Sequence, residues 1–154
     1  MSILKKIGIG LTAVFIVIQF IRPARNTGSS SLSPDISKMV SIPDSVQAIL
    51  KNACYDCHSN NTNYPWYSNI EPVGWLLAKH IRQGKAALNF SEFGSYSSRR
   101  QINKLTEIAN SVRDGIMPIS SYKFMHGDAR LSDAERSLII NWVQLSKDSL
   151  ESRN

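Results

Sequence analysis

Cys54, Tyr55, Asp56, Cys57 and His58 put two thiols and an imidazole into one short run. C-x-x-C-H is the spacing at which two cysteine sulfurs add to the vinyl groups of one haem and the next histidine meets its iron. On a helical turn, positions 54 and 57 project to the same side, and position 58 lies one turn from 54. A disulfide would not need His58. A thioredoxin-type pair needs a βαβ setting, which is missing here. A zinc site would need more ligands, and only His80 and His126 remain. The motif therefore predicts one haem c, attached covalently through Cys54 and Cys57, with His58 as the proximal iron ligand.

The sixth iron position has several candidates. Met117 stands in Gly115-Ile116-Met117-Pro118, where Pro118 stiffens the loop and Gly115 lets the chain turn sharply. A thioether held this way is the preferred sixth ligand. His80 is the alternative, because it falls within an apolar helical stripe and so points inward. Met125 and His126 are lesser candidates, beside an open site. Tyr64, Trp66, Tyr67 and Trp75 are expected in the pocket wall. Lys79 and Arg82 are expected to be solvated, or to pair haem propionates.

The elements that position these residues read as helices. Val46, Ile49, Leu50 and Ala53 make an amphipathic helix of 43–53, and Glu71 to Leu88 form a second. The stripe of that second helix is Val73, Leu76, Leu77, His80, Ile81, Gly84 and Leu88. A third runs from about Ser98 to Asp114, with Ser98 and Gln101 at capping-box spacing and Gly115 as its stop. Residues 116–131 read as a loop. A last helix begins at Ser132 with Glu135 completing a capping box. No segment alternates as a strand, so the fold class is all-α.

The chain has 154 residues and a net charge of +6, enough for one domain. Lys5, Lys6, Arg22 and Arg25 flank the apolar run Ile7 to Ile21, and residues 27–154 carry fourteen basic against twelve acidic side chains. No basic stripe selects a phosphate backbone, so nucleic acid is not an expected partner. The apolar run has the layout of a signal but no small-x-small cleavage site. It is expected to be an uncleaved anchor, a single transmembrane helix in the cytoplasmic membrane of a bacterium, with the domain in the periplasm. The expected division is a 1–25 anchor, a Ser-rich 26–42 tether and a 43–154 haem domain.

Residues 43–58 and Gly115–Val143 resemble class I cytochromes c: a helix leading into C-x-x-C-H, a G-x-M-P loop, and a helix opening L-S-D-x-E at Leu131–Glu135. The resemblance implies a cytochrome c-like bundle of about four helices, with Ile49 and Leu50 crossing Trp142. Tyr64-Pro65-Trp66-Tyr67-Ser68, His80, Asn89-Phe90-Ser91 and His126-Gly127-Asp128-Ala129-Arg130 are similar to the bacterial haem-binding domain family. That family consists of small, often membrane-anchored proteins with one C-x-x-C-H. Electron transfer outside the cytoplasm is the expected function, with redox proteins or membrane electron carriers as partners and no bond-making on a substrate. The alternative is a haem sensor or small haem enzyme with an open or displaceable sixth position.

Overall fold

Why the chain folds where it does is clearest at its last helix, where Ile139, Trp142 and Val143 form one buried stripe. In the computed structural model, which describes residues 2–28 and 32–153, eight α-helices follow in order. They are α1 (Ile3–Ile18), α2 (Ile36–Met39), α3 (Asp44–Ala53), α4 (Tyr55–His58), α5 (Val73–Ala87), α6 (Ser98–Arg113), α7 (Ser120–Met125) and α8 (Asp133–Glu151). No strand occurs among the described residues. The all-α class holds, with more and shorter helices than the expected four.

α3 and α6 both pack on α8. The face predicted for α3 is the face it buries: Val46, Ile49, Leu50 and Ala53. Ile49, Leu50 and Trp142 share one apolar cluster with Leu105, Ala109 and Val112 of α6. The Trp142 indole N–H also donates to the Ser41 carbonyl at 3.0 Å. α8 opens with the expected capping box: the Ser132 hydroxyl accepts from the Glu135 N–H, and the Glu135 carboxylate accepts from the Ser132 N–H at 2.8 Å. α6 ends as its sequence implied, with Gly115 at φ 69°. Its start differs. Ser97, not Ser98, precedes the helix, and the Gln101 amide donates instead to the Phe93 carbonyl at 3.1 Å. The stretch 116–131, expected as a loop, holds α7 and a 3-10 turn at Gly127–Ala129.

The N-terminal expectation is corrected. α1 has 16 residues, about 24 Å at 1.5 Å per residue, against a hydrocarbon core of about 30 Å. Among the described residues, no helix is long and apolar enough to cross a membrane. That finding overturns the single transmembrane helix, and with it the single-pass placement in the cytoplasmic membrane facing the periplasm. α1 buries none of its residues. Its end is tied to the body by Gln19, whose amide donates to the Glu71 carbonyl and accepts from the Glu71 N–H, both at 3.0 Å. The Trp75 indole N–H adds a 2.6 Å bond to the Ile21 carbonyl.

Residues 32–42 are more ordered than a tether's composition implies. Asp35 caps α2 by accepting from the Ser37 N–H, and Ile36 and Val40 lie in the main cluster. Ile36 is fully buried and Leu32 fully exposed. Ile36→Ala should therefore cost about 2–5 kcal/mol of unfolding free energy, and Leu32→Ala less than about 0.5 kcal/mol. Denaturant titration of both variants checks this contrast.

Candidate functional site

Leu50, Ala53 and their stripe end α3 at Cys54, whose backbone (φ −129°, ψ −43°) breaks the helix before the short turn of α4. α4 then packs against α5. The approach is close because position 84 has no side chain. A Cβ built on Gly84 would stand 2.5 Å from the Cys57 carbonyl oxygen and 3.1 Å from the Cys57 Cβ. Gly84 was only one member of an apolar stripe in the sequence. A glycine in a helix interior, at a cost near 1 kcal/mol against alanine, was the available signal of close packing.

α5 also fixes the imidazole. His58 Nδ1 lies 3.0 Å from the Leu88 carbonyl oxygen, just past the end of α5. A carbonyl only accepts, so Nδ1 carries the proton and Nε2 keeps its lone pair. Burial lowers the His58 pKa, against hydrogen bonds to the Leu88 and Gly84 backbone that raise it. The ring is therefore neutral near pH 7 and able to ligate a metal. Phe90, almost wholly buried, packs against His58 and stacks on Tyr55 at 5.0 Å.

The thiols are unpaired. Burial, with the neighbouring Cys57 adding to it, pushes Cys54 up to about 12. Burial, and then the charge of Asp56, pushes Cys57 up to about 11. Both sulfurs are protonated at neutral pH, which disfavours thiolate redox chemistry. An environment hostile to a thiolate suits an uncharged thioether. Among the described residues no three His, Cys, Asp or Glu side chains converge as a metal site.

One cavity of about 300 Å³ gathers most of the predicted residues. Cys54, Cys57 and His58 line it beside Ala53 of α3. α5 contributes His80, Gln83, Gly84 and Ala87. The stretch after α6 contributes Met117, Pro118 and Ile119, and α7 contributes Tyr122. The volume lies at the small end of ligand sites, and carbon and sulfur dominate the wall. His80 and Met117 thus reach the same cavity from different elements.

Other candidates do not reach it. Met125 is exposed. His126 stacks on Tyr122 at 4.0 Å, and its Nε2 lies 3.4 Å from the Tyr67 hydroxyl. Trp66 is exposed, and Trp75 is engaged with Ile21. Tyr67 packs with Leu77 and Ile81, flanked by Cys57 and Tyr64, behind the cavity. None of the four expected aromatics lines the cavity, and only Tyr64 and Tyr67 lie with Cys57 in that small cluster. Lys79 and Arg82 are exposed. Sequence reasoning missed Tyr122, which carried no motif signal. Its hydroxyl donates to Asp56 Oδ2 at 2.8 Å, and burial followed by that bond raises its pKa. The Thr62 hydroxyl donates to the Asp56 carbonyl at 2.6 Å, and the Asn63 N–H to Asp56 Oδ1 at 2.9 Å, so the middle of the motif is held from two sides.

A family model described as a haem-binding domain matches residues 13–145. No curated protein and no solved structure matches the chain. The donors in the cavity fit that cofactor: two uncharged sulfurs, a neutral imidazole held by Nδ1, and a second imidazole and a thioether in the same lining.

Gly84→Ala tests the helix contact. Propensity alone would make the change stabilising by up to about 1 kcal/mol. The clash with the Cys57 backbone reverses the sign, and a loss of about 1–3 kcal/mol is expected. Gly127→Ala, with open space around its Cβ, should stay within about 0.5 kcal/mol. Thermal unfolding of the two variants decides the point.

Proposed function

The chain belongs to the haem-binding domain family, and on that basis we propose that it holds one haem c through thioethers at Cys54 and Cys57 and passes single electrons. When bound, the haem supplies a ferrous–ferric couple. The observation that carries the reading is the cavity that joins both sulfurs of C-x-x-C-H to His58, Met117 and His80. His58 offers Nε2 as the proximal ligand, and the Leu88 carbonyl holds its ring by the other nitrogen. Met117 is the proposed sixth ligand. It comes from the stretch after α6, a separate segment from the helix that holds His58. The Met117 N–H donates to the Ser111 carbonyl at 3.1 Å, which anchors the loop behind the thioether. The carbon-rich wall lowers the local polarity, which with a Met ligand raises the reduction potential relative to a solvated bis-His site. The scarcity of polar groups on the wall supports carriage of electrons over bond-making on a substrate. Redox proteins are the proposed partners.

Expression with a haem-attachment system should give haem that stays on the chain after denaturation. Replacing both Cys54 and Cys57 by Ala should abolish that stain, and a stain that survived would refute covalent attachment. Met117→Ala should remove the near-infrared sulfur-to-iron band, lower the potential and open the iron to carbon monoxide. His80→Ala should leave the band in place. The reverse pattern would make His80 the ligand.

A further inference from the structure

α5 presents two adjacent faces. His80, Gln83, Gly84 and Ala87 line the cavity. Lys79, Arg82 and Ala86, at i, i+3 and i+7, share the neighbouring exposed face. Ala86 and Ala87 continue into a groove against the start of α6, where Arg99, Arg100 and Lys104 line the other side. Ala87 thus belongs to the walls of both cavity and groove.

The charge on this surface is one-sided. α5 contains no acidic residue, and α6 contains one, Glu107, which pairs with Lys104 at 2.6 Å. Five cations, Lys79, Arg82, Arg99, Arg100 and Lys104, therefore stand against two carboxylates, Glu107 and Glu151 of α8, which lines a shallow groove with Arg99. Residues 27–154 as a whole carry only two more basic than acidic side chains. The excess is thus gathered beside the cavity, and the remainder of that stretch is net acidic. Arg100 lies over the Tyr96 ring at 4.2 Å, which holds its guanidinium in place.

We infer that this basic rim, Lys79, Arg82, Arg99, Arg100 and Lys104, is the docking surface for an acidic redox protein that exchanges electrons at the Ala87 edge of the cavity. This rests on the electron-carrier reading above. The step moves one electron and nothing else: the haem iron goes from ferric to ferrous as a one-electron donor is oxidised, or the reverse with an acceptor, and no bond or proton is transferred. A cationic field at the exit steers a carboxylate-rich partner to the wall nearest the cofactor, and like charge turns basic proteins away.

The test uses the haem-loaded full chain and the double variant Arg82→Glu/Arg99→Glu, whose native side chains make no hydrogen bond or ion pair among the described residues. Lys5→Glu/Lys6→Glu, on α1, is the control of equal charge change. Stopped-flow would follow oxidation of the ferrous protein by ferricyanide and by the cationic cobalt(III) tris-phenanthroline complex. It would also follow reduction of the ferric protein by an acidic plant-type ferredoxin. At low salt the rim variant should lose about tenfold in rate with ferricyanide and ferredoxin and gain severalfold with the cobalt complex. Near about 0.5 M salt the rates and the midpoint potential of the rim variant should return to those of the parent protein. Equal changes with both oxidants, or a control that shifts the rates as much as the rim variant, would overturn the docking surface alone. A reduced protein that neither complex oxidises would overturn the electron-carrier reading, and the rim with it.

Discussion

Because position 84 lacks a side chain, the backbone of Cys57 can rest on the face of α5. The rest of the site depends on that approach. With α4 seated there, Leu88 at the end of α5 comes within hydrogen-bond reach of His58 Nδ1. His80 and Gln83 of the same helix come to the cavity that Cys54 and Cys57 line. One helix thus seats the Cys57 backbone, sets the tautomer of the imidazole and supplies part of the cavity lining. A shift of α5 would disturb all three together, so the geometry has few independent adjustments.

Around this contact the protein holds groups neutral. Burial keeps both thiols protonated and the His58 ring uncharged. The charges that do occur near the motif are engaged at its back. Asp56 accepts from Tyr122 and from the Asn63 backbone. An iron-bearing macrocycle held in such a cavity would feel a low dielectric from its carbon-rich wall and fixed charge from the nearby α5–α6 cations. That division, neutral within and cationic at the α5–α6 edge, is compatible with a carrier that must hold its cofactor tightly yet release an electron at one place.

How much of this was readable in the residues varies with how local the cause is. The Ser132–Glu135 capping box, Gly115 and the α3 stripe are local patterns, and each has its counterpart in the structure. Ser98 and Gln101 have the same spacing as Ser132 and Glu135, yet Gln101 reaches the Phe93 carbonyl because tertiary contact offered a buried acceptor. The apolar run at the N-terminus was read by composition, but the span depends on helix length, and the chain leaves the helix at Gln19. Ser-rich residues around Ile36 hid a core position, since one apolar residue among polar ones carries no period. The Tyr64–Trp75 aromatics were assigned to the lining by type, whereas their side of the motif is set by where α5 and α7 lie. Met117 and His80 were both visible as candidates, and both line the cavity.

The bond from Trp142 to Ser41 joins positions 101 residues apart, and Arg153 reaches the Met39 carbonyl across 114. Everything that lines the cavity lies inside that span. Closing a loop of such length costs on the order of 4 kcal/mol of chain entropy before any contact within it is gained. Contacts this distant in sequence raise contact order and slow folding. The segments nearest the motif can organise from short-range contacts while the clasp at α8 is still open. The core behind the pocket is closed only when α8, made after the motif, docks on α3 and α6.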